Sequence, residues 1–126
     1  MAKKFLPVLL LGLLLTGCTT ATLTNLTPHQ EFRNANGLYP VEAAMASRQQ
    51  TLRWDTVRPN VVVDTEFVAM RPTLLMTNRW ETLIPVPPGK NVVYYRFKFD
   101  YDYLSMGARK TDSIRSPVYR LQILDQ

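Results

Sequence analysis

The sequence has few of the side chains from which enzymatic and metal sites are built. Its 126 residues include one cysteine, one histidine and five glycines. A single cysteine excludes an internal disulfide or a multi-cysteine metal site, and one histidine leaves little for a His-rich site or a catalytic triad. The serines lie in no recognisable nucleophile motif, and no glycine-rich phosphate loop is present. The sequence therefore predicts a protein that is not an enzyme, with no catalytic residues, metal or cofactor.

Charge and apolar content narrow the class further. The chain has 15 Lys and Arg against 10 Asp and Glu, a formal net charge of +5, and 46% of its residues are hydrophobic. That apolar fraction is too high for a disordered tail, and the length suits one ordinary domain. The basic residues are scattered along the chain, so we expect no nucleic-acid partner.

The N-terminus carries the strongest targeting signal. Lys3 and Lys4 precede an unbroken apolar run from Phe5 to Leu15. As a helix, this run would span about 16 Å, roughly half of the hydrocarbon core of a bilayer. It is therefore too short for a standard membrane span and is typical of the hydrophobic region of a signal peptide. A buried core strand and a plain secretory signal with a chance cysteine are the alternatives.

The apolar run ends in Leu15-Thr16-Gly17-Cys18, which resembles the lipobox of bacterial lipoproteins. The resemblance implies that residues 1–17 are a signal peptide and that Cys18 is lipidated through a thioether and N-acylated after cleavage. Two or three acyl chains form a practically permanent membrane anchor, because each buried methylene contributes about 0.8 kcal/mol. Thr19 stands where an Asp tends to hold such proteins in the inner membrane. The resemblance therefore implies a cell-envelope lipoprotein of the outer membrane.

Loss of the signal peptide would change the counts. Residues 18–126 lack Lys3 and Lys4, so their 13 basic and 10 acidic residues give a net charge of +3. With lipid on its one cysteine, the folded part would contain no free thiol. We expect residues 18–27 to form a lipidated tether with a possible first strand, and residues 28–126 to form one domain.

Most of the remaining chain has a hydrophobic period of two, which indicates β-strands. The clearest case is residues 91–103, where β-branched and aromatic side chains alternate with polar ones. One face of this predicted strand holds Val93, Tyr95, Phe97, Phe99 and Tyr101. The other face holds Tyr94, Arg96, Lys98, Asp100 and Asp102.

Two further segments predict strands next to this one. Residues 80–86 form a second strand, which the loop at residues 87–90 joins to residues 91–103 as a hairpin. Residues 60–70 predict either one long strand or a tight hairpin that turns at Asp64-Thr65.

The ends of the domain follow the same pattern. Residues 115–124 predict a final strand with Val118, Leu121 and Ile123 as its apolar anchors. Residues 38–48 fit a strand or a helix, and we prefer a strand because the rest of the chain is β. About seven short strands separated by turns predict an all-β fold, a single small antiparallel β-sandwich.

The segment from Trp80 to Tyr101 resembles the consecutive E and F strands of an immunoglobulin-like or fibronectin type III sandwich. Tyr94 or Tyr95 falls about where such folds often have a tyrosine corner. The Cys–Trp–Cys pattern of true immunoglobulin domains is absent, so the resemblance implies an Ig-like architecture only.

Because the sequence offers no catalytic groups, we expect the domain to act by binding through its surface. We expect an envelope protein partner, of open identity, to contact the polar face of residues 91–103. An exposed Tyr and Arg there suit a binding hot spot. Asp100 and Asp102 could offer oxygen ligands to a cation, but a solvated charge pair balanced by basic neighbours is favoured. The candidate contact residues are Tyr94, Arg96, Lys98 and Asp100.

A glycan is the alternative ligand. Residues 80–99 are similar to the second half of starch-binding β-sandwich modules, in which a W…IPVPxG strand precedes a YxFKF strand. The resemblance implies a cell-surface module in which Trp54, Trp80 and Tyr94 stack on sugar rings. The same aromatic side chains would also serve to fill a sandwich core.

Overall fold

The computed structural model describes residues 21–126, so the predicted signal peptide and Cys18 lie outside the described residues. Within that range, no helix could span a bilayer. The strands are β1 (Ala21–Asn25), β2 (Gln30–Phe32), β3 (Leu38–Ser47), β4 (Leu52–Val63), β5 (Glu66–Ala69), β6 (Arg71–Pro72), β7 (Arg79–Pro85), β8 (Val92–Ser105), β9 (Ala108–Arg115) and β10 (Tyr119–Leu124).

These strands form two sheets that pack face to face. The smaller sheet has the order β1-β3-β7-β6, and the larger has the order β2-β10-β8-β4-β5, with β9 paired to the second half of β8. The predicted all-β sandwich is confirmed, with more strands than the expected seven and with one parallel pair, β2 and β10, where an antiparallel fold was expected.

Strand β8 is the centre of the larger sheet and supplies much of the core. Its alternation is the one predicted for residues 91–103: the apolar and aromatic face is buried in the core, and the polar face that includes Tyr94 and Arg96 points outward. The inward side chains are at most 2% exposed, namely Val93, Tyr95, Phe97, Phe99 and Tyr101. A strand with one face packed and one solvated is what period-two patterning produces in an antiparallel sheet.

The smaller sheet closes the core from the other side. Trp80 of β7 meets Phe99 of β8 edge to face, with ring centroids 5.2 Å apart and ring planes at 90°. Ala43 of β3 lies directly opposite Trp80 in the register and is fully buried. A small residue there leaves room for the indole, so the aromatic contact that joins the two sheets is matched by a small neighbour.

The connection between β7 and β8 differs from the prediction. The two strands lie in different sheets, so residues 86–91 form a crossover between sheets and the predicted hairpin was wrong. The physical reason is that β7 and β8 bury their apolar faces against each other, as the contact between Trp80 and Phe99 shows. A hairpin would have placed both faces on one side of one sheet.

Other predictions have mixed outcomes. Residues 38–47 form a strand, and residues 60–70 contain a hairpin that turns at Asp64-Thr65, with Asp64 at a positive φ of 55°. Leu121 and Ile123 anchor the last strand in the core, but Val118 is 62% exposed. Val118 follows Pro117 and lies before the paired part of β10, so its predicted anchoring role was wrong.

The N-terminal segment is part of the sandwich. Strand β1 pairs with β3 over five residues, so residues 21–25 form an edge strand within the segment that was expected to hold a tether and a possible first strand. Asn25 donates a side-chain hydrogen bond of 2.9 Å to the hydroxyl of the buried Tyr95. That hydroxyl therefore links β1 to β8. In a tyrosine corner the hydroxyl would instead bond to backbone a few residues upstream. Tyr94, the other candidate for such a corner, is exposed.

We predict that Phe97→Ala lowers the free energy of unfolding by about 3–5 kcal/mol, because it leaves a cavity in the core between the two sheets. Phe97 is fully buried, whereas Phe67 is 61% exposed on the same sheet. Phe67→Ala, the matched control, should change stability by no more than about 0.5 kcal/mol. Equal losses in urea unfolding of the two variants would contradict this description of the core.

Candidate functional site

The outward side of the larger sheet collects most of the charged side chains of β4, β8, β9 and β10. We call this surface the basic face, because cross-strand register and strand alternation place its residues on one side. Its charged residues are Arg53, Arg58, Arg96, Lys98, Arg109, Arg115, Arg120, Asp100 and Asp102. Asp55, in the irregular stretch of β4, pairs with Arg53 at 3.8 Å.

The basic face holds the whole positive excess of the domain. Counted with Asp55, it has seven basic and three acidic residues, a net charge of +4. The rest of residues 21–126 has six basic and seven acidic residues, a net charge of −1. The charges that look scattered in the sequence are therefore separated in space.

At one half of this face the charges are paired. The Asp102 carboxylate accepts a hydrogen bond of 2.8 Å from the Thr111 hydroxyl and forms salt bridges with Arg58 at 3.3 Å and Arg109 at 3.4 Å. The Thr111 hydrogen bond first, and then the two arginines, hold the pKa of Asp102 below its ordinary value.

Asp100 is held in the same way. It accepts a hydrogen bond from the Ser113 hydroxyl and pairs with the Lys98 ammonium at 3.2 Å. The Ser113 hydrogen bond is the main cause that lowers the pKa of Asp100, followed by Lys98. The Lys98 nitrogen also lies 6.0 Å from the centre of the Phe67 ring. The contacts of Asp100 and Asp102 with Ser113, Thr111 and Arg109 hold β9 against β8. The charges in this half of the face therefore already have partners within the domain.

The other half of the face carries unpaired cations. Within residues 21–126, Arg96, Arg115 and Arg120 have no carboxylate oxygen within 4.0 Å. Arg115 lies directly opposite Lys98, an arrangement of like charges that disfavours pairing. Arg120 lies directly opposite Tyr94, which is 56% exposed.

A shallow hollow of about 230 Å³ lies beside these cations. Its lining includes Tyr94, Arg96 and Val118, and Val118 is 62% exposed. Asp64 lines it as well, but its carboxylate is paired with Lys90 at 3.6 Å. An accessible aromatic ring, an apolar side chain and unpaired guanidinium groups are the combination found at the centres of protein interfaces. This half of the face can bind an acidic group without first breaking a salt bridge.

The four predicted contact residues lie on one face, but they differ in whether their charges are already paired within the domain. Tyr94 and Arg96 lie in the unpaired half, whereas Lys98 and Asp100 are bonded to each other. That a partner binds them stays a prediction. Sequence reasoning missed Arg115 and Arg120, although the alternation of Arg120 with buried neighbours on β10 was a signal for the second.

The aromatic residues of the glycan hypothesis are not brought together. Trp80 is only 4% exposed, so its predicted role as a surface stacking platform is wrong. Trp54 is 41% exposed and stacks on Trp80, with centroids 6.4 Å apart and planes at 14°. Tyr94 lies on the basic face, on the other side of the larger sheet from the core. No shared platform for sugar rings results.

A cleft of about 630 Å³ lies at one end of the sandwich, between the turn at residues 34–37, the turn at residues 64–65 and the loop at residues 85–89. Among its described lining residues are two carboxylates and no histidine, cysteine or serine. Across residues 21–126, no group of three or more acidic, histidine or cysteine side chains could hold a metal ion.

We predict that Asp100 and Asp102 make the domain sensitive to acid. Because both pKa values are lower in the folded chain than the ordinary 3.8, their stabilising effect is present above that value and is lost as the pH falls through the folded pKa. The Asp100→Asn/Asp102→Asn variant should be less stable at pH 7, and its unfolding free energy should fall less between about pH 5 and pH 2.

Asp112→Asn is the control for this titration, because Asp112 is on β9 but forms no salt bridge with a described residue. Its stability should follow the steeper profile of the parent chain in thermal unfolding. Parallel profiles for the parent and the double variant would contradict the assigned contacts.

Comparisons of the chain with protein-family models, with curated proteins and with solved structures find no match. Among the described residues, the polarised basic face is the feature that bears most directly on function.

Proposed function

We propose that this chain is a lipid-anchored lipoprotein of the bacterial cell envelope, most simply of the outer membrane, whose Ig-like sandwich binds a protein partner and performs no chemistry. Lipid at Cys18 would fix the domain at a membrane and concentrate it in two dimensions. The sandwich would then supply a rigid surface for binding or for envelope assembly.

The lipobox supports the anchoring part of the proposal. A basic start, an apolar run of the length of a signal peptide, small residues at Thr16 and Gly17 and the cysteine after them agree with one another. Thr19, in place of an Asp, supports the outer membrane. A thiol is also the nucleophile that thioether lipidation requires, and Cys18 is the only cysteine of the chain.

The basic face supports the binding part, and its charge separation is the observation that carries the proposal. A net charge of +4 on one side of a domain with −1 elsewhere orients an approaching acidic surface. The arginines near Tyr94 have no carboxylate partner in the described chain. A partner that brings carboxylates to Arg96 and Arg120 would relieve their mutual repulsion and cover the Tyr94 ring.

Binding of glycans has less support. Of the three aromatic residues expected to stack on sugar, Trp80 is buried and Tyr94 is separated from Trp54 by the thickness of the larger sheet. Trp54 alone is a small platform. An acidic protein surface matches more of the basic face than a neutral polysaccharide does.

We predict that Cys18→Ser abolishes the incorporation of radiolabelled palmitate into the protein. A serine hydroxyl cannot form the thioether that begins lipidation. Thr20→Ser is the matched control and should be labelled as strongly as the parent chain. Labelling that persists in Cys18→Ser would refute the lipoprotein assignment.

We predict that a photo-crosslinking amino acid in place of Tyr94 captures one defined protein in intact envelopes. Arg96→Gln/Arg120→Gln should reduce the yield of that product at least about tenfold, because two charge-assisted contacts are lost. Arg71→Gln/Arg79→Gln removes the same charge from the smaller sheet and is the control. A product equally reduced in both double variants would show that net charge matters and the basic face does not.

A further inference from the structure

One end of the sandwich is where the described chain begins. Ala21 lies opposite Ser47, so β1 starts where β3 ends. Leu52 lies opposite Tyr103, so β4 starts and β8 ends there as well, across the short connection from β3. Strand β7 begins at this end and β6 finishes at it. We call it the Ala21 end, and its loops are residues 48–51, 73–78 and 106–107.

The Ala21 end collects exposed apolar side chains. In the part of the chain that the structure describes, eleven large hydrophobic residues are exposed, and six of them lie at or next to these loops. They are Trp54, Leu74, Leu75, Met76, Leu104 and Met106. Met106, Leu75 and Leu74 are also the most exposed of the eleven, at 103%, 95% and 84%. Such a concentration is typical of a surface that is covered by an apolar partner.

Two of these side chains sit on strained backbone. Leu75 has a φ of 64° and Met106 a φ of 53°, in the left-handed region that bulky residues rarely adopt. Glycine or asparagine would fit such turns with less strain. The turns instead present large apolar side chains to water. Both the backbone conformation and the exposure of apolar surface to water cost free energy. Strain of this kind is characteristic of sites with a function.

We propose that the Ala21 end is seated in the interfacial layer of the membrane to which Cys18 is anchored. This inference rests on the proposed lipidation. Only three residue steps separate Cys18 from Ala21, and three residues reach at most about 11 Å when fully extended. The anchor therefore holds the start of β1 within that distance of the lipidated residue, and the neighbouring loops come to the headgroups with it.

The other side chains at this end suit a membrane interface. Trp54, which is 41% exposed, has the apolar ring and polar N–H that favour the headgroup region. Long basic side chains can place their stems among the lipids and their charges among phosphates. Five basic residues lie at this end against three acidic ones, namely Arg48, Arg53, Arg79, Arg109 and Lys110 against Asp55, Asp102 and Asp112. Their excess positive charge matches an anionic lipid surface.

This seating sets the orientation of the domain. The strands would stand along the membrane normal, because the Ala21 end is one end of every long strand. The basic face would then project sideways and stay open to a partner. The cleft at residues 34–37 and 64–65 would lie farthest from the lipid.

The inference is tested on the full, lipidated chain. Since Cys18 is its only native cysteine and would be blocked by lipid, a new cysteine can be labelled with the fluorophore NBD. Leu75→Cys and Met106→Cys place the label at the Ala21 end, and Asp64→Cys and Phe67→Cys serve as controls in the opposite half. The vesicles contain phosphatidylethanolamine and phosphatidylglycerol at 3:1, with a fraction of lipids that carry a quenching doxyl group near the headgroup.

We expect doxyl lipids to quench the labels at Leu75 and Met106 at least threefold more strongly than those at Asp64 and Phe67. Equal quenching at all four positions would overturn the inference. Strongest quenching at Phe67 would also overturn it, because it would show that the basic face lies on the lipid. The mass of the purified chain is measured first. A chain without lipid would refute the proposed anchorage and this inference together, whereas a lipidated chain with unquenched loops would refute the seating alone.

Discussion

The register of β8 is the constraint on which the rest of the structure depends. From Val93 to Tyr101 every second side chain enters the core, and the residues between them belong to the basic face. A shift by one residue would move the aromatic side chains into water and the charges into the core. The edge-to-face contact of Phe99 with Trp80 opposes such a shift, because it ties the strand to the other sheet. Core packing and surface charge are therefore fixed by one alignment.

The unpaired half of the basic face is separate from the Ala21 end, because Tyr94 and Arg96 lie near the start of β8 and the Ala21 end lies where β8 finishes. The basic face runs along the strands, whereas the apolar loops of the Ala21 end close one end of them. A domain held by that end keeps its sheet faces free, and a domain that binds through a sheet face keeps its end free. The proposed anchoring and the proposed binding could therefore proceed at once, without either one displacing the other.

Sequence patterns predicted the features that depend on local alternation. The faces of β8, including Tyr94 and Arg96, follow from period-two burial. Strand β9 was not predicted, since only Ile114 among its side chains is drawn toward the core and its place in the sheet comes from hydrogen bonds to β8. The placement of β7 and β8 in different sheets depends on long-range packing. The nearness of Arg115 to Lys98 needs a cross-strand register that no single segment contains.

Strand β9 is an edge of the larger sheet, and its composition has a consequence if the chain is anchored in a membrane as proposed. It pairs with β8 alone in the described chain, which leaves a row of backbone donors and acceptors open on its other side. Its eight residues include two arginines, a lysine and an aspartate, and most of its side chains are exposed. Charged edge strands resist pairing with the edge of another molecule. Copies held side by side on one membrane would thus be kept from joining into continuous intermolecular sheets and aggregating.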